Sequence, residues 1–193
     1  MRKKVFKYTI GTALGLICLG FMLSCVNNGS NPAEILKQRI DKAEMVVYVD
    51  SIYGARLFYP EFFHVDSIGK YYVQFSYSDE NVKELCLEYD IIPPRLFDSS
   101  EEEVRILSND SLTTASKVKK RSFVITQEYE CFPRLKCIMK HYKTIHGWAR
   151  YSLTYEKQYE DAVERLTKMV VDWKIYDEDI PKCFTDVCDF LDI

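Results

Sequence analysis

Cys137, His141 and His146 are the side chains of this sequence that could do the most demanding chemistry. A thiolate beside an imidazole is a nucleophile, and sulfur with two nitrogens is part of a metal set. Their spacing argues against both. The segment 136–145 reads as a strand, on which residues four apart stand about 13 Å from each other, too far to share a proton or an ion. No C-x-x-C or H-E-x-x-H occurs to complete a metal site. Ser67-Ile68-Gly69-Lys70 and Ser116-Lys117-Val118-Lys119 both match S-x-x-K, but neither opens a predicted helix, and S-D-N and K-T-G are missing. Glu101-Glu102-Glu103 fits the first turn of a helix, where the dipole favours acids, better than an acid/base pair. The expectation is a protein without catalytic residues, metal or cofactor.

The N-terminus carries a different kind of chemistry. Arg2, Lys3, Lys4 and Lys7 precede an uncharged, largely apolar run from Thr9 to Leu23, and Cys25 follows directly after Ser24. A spanning helix needs about 20 apolar residues, so this 15-residue run suits a cleaved signal peptide better. Met22-Leu23-Ser24-Cys25 resembles the lipobox of bacterial lipoproteins. The resemblance implies cleavage between Ser24 and Cys25, a diacylglyceryl group on the Cys25 thiol and a further acyl chain, palmitate for instance, on the freed amine. Two or more chains anchor stably, at about 0.8 kcal/mol per buried methylene. The expected address is the bacterial cell envelope, with the domain facing the periplasm.

Removing residues 1–24 takes four basic side chains and shifts the formal net charge from −3 to −7. That balance argues against nucleic acid, or anionic lipid, as the main ligand. Lys117, Lys119, Lys120 and Arg121 form one basic spot, a solvated loop end or a contact for a headgroup or acidic partner. Beyond Cys25, the processed chain holds Cys86, Cys131, Cys137, Cys183 and Cys188. Five thiols cannot all pair within one chain, and Cys131 with Cys137, flanking a turn, is the candidate disulfide.

The elements that position these residues follow from periodicity. Residues 25–31 are a lipidated tether, 32–176 a single domain, and 177–193 a tail whose apolar spacing permits a short helix. Asn31-Pro32-Ala33-Glu34 starts a helix to about Glu44. Strands are expected at 46–50, 55–59, 71–77, 85–91, 123–131 and 149–155, with a short helix at 101–107 capped by Ser99 or Ser100 and a loop over 109–120. A long amphipathic helix is expected from Tyr159 to about Lys174, with Leu166 and Trp173 on its buried face. The predicted class is α+β: an antiparallel β-sheet packed against that helix, with N-terminal and short middle helices.

Tyr53-Gly54-Ala55-Arg56-Leu57-Phe58-Tyr59-Pro60 is similar to the "YGF-x-x-x-YP" opening of PsbP-like domains, with Ala55 where an aromatic is usual. Tyr151-Ser152-Leu153-Thr154-Tyr155, followed by Tyr159 and the amphipathic helix, resembles their ending. The resemblance spans about residues 46–176. It implies a fold shared by a photosystem subunit, a nuclear Ran-binding protein and periplasmic lipoproteins of the DcrB type. It also implies a non-enzymatic accessory role, by analogy of fold. The leading expectation is therefore an anchored lipoprotein that binds or braces an envelope protein. A carrier or sensor of a small apolar ligand is the alternative, and an envelope hydrolase the third.

Overall fold

The structure, a computed structural model, describes residues 31–92, 99–108, 112–144 and 147–175. Ser24, Cys25, His146, Cys183, Cys188 and the 177–193 tail lie outside them. The expectations of signal cleavage, acylation and a tail helix therefore concern undescribed residues.

Asn31 opens the domain as an N-cap, its Oδ1 accepting from the Ala33 N–H at 3.1 Å, and Pro32 begins helix α1 (Pro32–Lys42). A tight hairpin, β1 (Met45–Asp50) and β2 (Ala55–Pro60), turns through Gly54, whose φ of 66° is left-handed. Then come β3 (His64–Gly69), β4 (Tyr72–Tyr77) and β5 (Leu85–Ile92). Helix α2 (Ser100–Leu107) is capped by Ser99, and β6 (Thr113–Lys119), β7 (Ser122–Glu128), β8 (Leu135–Thr144) and β9 (Gly147–Glu156) follow. A 3₁₀ turn (Lys157–Tyr159) leads to helix α3 (Glu164–Asp172).

β1 and β2 pair only with each other, while β3 to β9 form one antiparallel sheet in the order β3-β4-β5-β9-β8-β7-β6. The class is therefore predominantly β and not α+β: the described residues form nine antiparallel strands in two sheets, with α-helices of 11, 8 and 9 residues. The long C-terminal helix is corrected too. Tertiary bonds occupy the backbone and side chains where it was expected to start: Lys157 N–H donates to the Arg134 carbonyl at 2.7 Å, and Tyr159 Oη donates to the Asn81 carbonyl at 2.8 Å. Helical periodicity survives as burial of Tyr159, Ala162, Val163, Leu166 and Val170, but continuous helix starts only at Glu164.

Alternation splits the seven-stranded sheet into two faces. On one, Phe75, Leu87, Tyr89, Tyr151, Leu153 and Tyr155 meet α1, the β1–β2 hairpin and α3 in the main core. Arg165 of α3 donates to the carbonyls of Ile40, Asp41 and Ala43, satisfying the end of α1. Trp173 donates its indole N–H to the Arg56 carbonyl at 3.0 Å, and Tyr151 its hydroxyl to the Phe58 carbonyl at 2.6 Å, so the hairpin is bolted down by side chains. On the other face, Phe123, Ile125, Cys137, Met139 and Trp148 form a smaller core under Val104 and Leu107 of α2.

Candidate binding groove

The main-core face is not covered to its end. α3 lies over β8 and β9, and beyond its last turn a cleft of about 730 Å³ opens toward the β6–β7 turn. Its lining alternates cations with apolar surface: Lys117, Lys119, Lys120, Lys140 and Lys174 around Val118, Tyr142, Val171 and Trp173. Asp172 is the one acid among the lining residues. The hairpin places the lysines there through an irregularity. The β6–β7 register shifts between Ser116 and Lys119, and Lys117 sits at φ 50°, a left-handed conformation that re-aims the strand.

Lys140 is the unusual member. It faces the main-core side of β8, opposite Val124, and the residue is only 7% exposed. Its Nζ donates to Ser122 Oγ at a long 3.4 Å. A buried ammonium ordinarily demands a carboxylate, since desolvation penalises the bare charge. Among the described residues, none of Lys117, Lys119, Lys120, Lys140 and Lys174 has a carboxylate within ion-pairing distance. Burial pushes the Lys140 pKa down. Lys119 and Lys117 push the same way, as does Lys174 more weakly, and Asp172 opposes them. Arg121, on the rim, is engaged elsewhere: it donates to the Lys143 carbonyl at 3.3 Å and lies 5.6 Å over the Tyr142 ring.

The residues first considered for catalysis are held in unreactive forms. Cys137 and His141 share the opposite face of β8. Burial raises the Cys137 thiol pKa, and burial pushes His141 down to about 3, with Arg150 and Lys140 adding to it. His141 stacks on Phe123 with centroids 4.6 Å apart. Cys86 is pushed up to about 12, chiefly by burial, and accepts from Gln74 Nε2 at 3.1 Å. Cys131 and Cys137, the candidate disulfide pair, are free cysteines in the structure, the first exposed beyond the end of β7 and the second buried in the smaller core. Ser67 and Ser116, of the two S-x-x-K matches, lie in exposed strands β3 and β6. No group of three His, Cys, Asp or Glu side chains suited to a metal ion occurs among the described residues.

The space between sheet and α3, where an apolar ligand would sit, is filled by Leu166, Val170, Tyr151 and Leu153, all fully buried. The basic run 117–121 was visible in the sequence as a charge cluster. Lys140, Ser122 and Lys174 were not associated with it, because only the β7–β8 pairing and the end of α3 bring them there. The available signal was Lys140 itself, in phase with Ile138 and Tyr142 on the core side of its strand.

A comparison with solved structures finds the solution structure of cyanobacterial PsbP (CyanoP) from Synechocystis sp. PCC 6803. It has a TM-score of 0.48 and 12% sequence identity, and it covers 69% of this chain and 94% of that one. No protein-family model matches the sequence, and no curated protein matches it.

Proposed function

We propose that this chain is a bacterial envelope lipoprotein, anchored through acylated Cys25 and facing the periplasm, whose domain binds or braces an envelope protein without catalysing a reaction. The observation that carries the reading is Met22-Leu23-Ser24-Cys25 directly after a basic and then apolar segment, with a capped domain starting at Asn31. Only residues 26–30 separate anchor from fold, which keeps the domain within a short tether's reach of the membrane surface. The raised thiol pKa values of Cys86 and Cys137 and the suppressed basicity of His141 support binding over nucleophilic chemistry.

The test has two parts. Labelling cells with a radioactive fatty acid should mark the chain, and Cys25→Ala should abolish the label and leave an unprocessed precursor; label retained in that variant removes the anchor. Cross-linking in intact cells, followed by mild detergent extraction, should recover the chain with an envelope protein. Recovery only as a monomer counts against the bracing role.

A further inference from the structure

We propose that the cleft between the β6–β7 turn and the end of α3 is a binding site for a phosphate group, carried by a lipid headgroup or by a small soluble phosphate. The inference stands on the cleft and is independent of acylation at Cys25.

Lys140 gives the site its floor. The residue is 7% exposed on the cleft wall, and its hydrogen-bond partner among the described residues is the distant Ser122 hydroxyl. An anion in the cleft would supply the charge partner that Lys140 lacks among the described residues. Ser122 offers a hydroxyl that can donate to the same anion while accepting from Lys140. Lys117 and Lys119 line the cleft from the bulged strand, and Lys174 lines it from just after α3.

The geometry selects phosphate over a carboxylate. Three separate segments (β6, β8 and the residues just after α3) contribute point-charge ammonium donors to the lining. A tetrahedral group with three or four acceptor oxygens can meet them together, whereas a carboxylate presents two oxygens in one plane. The apolar lining of Val118, Tyr142, Val171 and Trp173 would face whatever the phosphate is attached to. The negative net charge of the chain does not oppose this. Net charge averages the whole surface, while the field inside a cleft is set by the charges that line it. The acidic run Asp177-Glu178-Asp179 follows Lys174 closely in the sequence and is the chain's own chemical competitor for an anion site.

The full chain, purified in dodecylmaltoside micelles, is titrated calorimetrically with inorganic phosphate, with dihexanoyl phosphatidylglycerol and with acetate, at constant ionic strength. Saturable binding of at least one phosphate compound, at least tenfold tighter than acetate, is expected. Binding of the lipid alone assigns a headgroup, and equal binding of both assigns the free phosphate. Lys140→Met, which keeps the buried stem, should weaken binding at least tenfold. The exposed pair Lys117→Ala with Lys119→Ala should weaken it severalfold and reduce its salt dependence. If Lys140→Met fails to fold by circular dichroism, the exposed pair and Ser122→Ala carry the test. Three results overturn the proposal. They are no saturable binding, binding that these variants leave unchanged, and binding that appears only when Asp177, Glu178 and Asp179 are changed to Asn, Gln and Asn.

Discussion

Replacing His141 by Phe should remove a specific slope from the pH dependence of stability. The imidazole is 1% exposed, its plane lies 11° from that of Phe123, and its Nδ1 has no hydrogen-bond partner. The fold therefore keeps it neutral, with its pKa pushed down to about 3 from an ordinary 6.5. The unfolded chain takes up a proton below that ordinary value and the folded one does not. Stability from this group is complete above about pH 6.5 and is lost as pH falls toward the folded value. One proton of difference is worth about 1.4 kcal/mol per pH unit, so lowering the pH from about 7.5 to about 4.5 should cost about 2.5 kcal/mol. His141→Phe keeps an aromatic ring of similar size on Phe123 and cannot take up that proton. Urea titrations of both proteins across this pH range give the comparison, and every other titrating group cancels in the difference. The variant should lose about 2.5 kcal/mol less than the parent. Parallel pH profiles would refute the reasoning, since they would mean that His141 is as easily protonated in the fold as outside it.

Leu166→Ala should cost about 3 kcal/mol in urea titration, because its side chain, on the inner face of α3, is fully buried. Lys168→Ala, whose partner Glu164 at 2.7 Å is itself exposed, should stay within about 0.5 kcal/mol, and equal losses would contradict the assigned face. Trp173→Phe removes the N–H that reaches the Arg56 carbonyl and should cost about 1–2 kcal/mol by the same measurement. In timed alkylation read peptide by peptide, exposed Cys131 should react far faster than Cys86 and Cys137; equal rates would show that burial does not protect those two thiols.

The elements that read well in the sequence were those with one clear wet side. Asn31-Pro32 and Ser99 gave the starts of α1 and α2 through cap chemistry, and β5 alternates because one of its faces meets the main core, whereas β9 is buried on both faces and reads through its aromatic and apolar content. The two strands that went unread, β3 and β6, form the two edges of the seven-stranded sheet. Every residue of β3 is exposed, and β6 buries no side chain fully and alternates only over its first four residues, all small or polar; Thr113–Lys119 accordingly read as loop. α3 read too long because Tyr159, Ala162 and Val163 keep helical spacing while long-range hydrogen bonds hold the turn before it in another conformation. The binding cleft was half legible. Lys117–Arg121 is a run in the chain, but its partnership with Lys140 exists only across β6, β7 and β8.

The order of strands also determines how late this protein can become itself. β3-β4-β5 and β6-β7-β8-β9 are each chains of neighbouring hairpins, and a single seam, β5 against β9, joins the two halves of the sheet. That seam pairs Leu85 with Tyr155 and Ile92 with Trp148, residues far apart in sequence. Hairpin contacts close quickly, whereas a seam of this span must overcome the entropy of closing a long loop before any of its bonds form. Until β9 has emerged, the apolar edge of β5 has no neighbour on that side, and an unpaired apolar edge invites association between chains. The slowest and most aggregation-exposed moment in the life of the domain is therefore the interval before its last strand arrives, and substitutions in the β5–β9 seam should slow folding more than equally destabilising ones within either half.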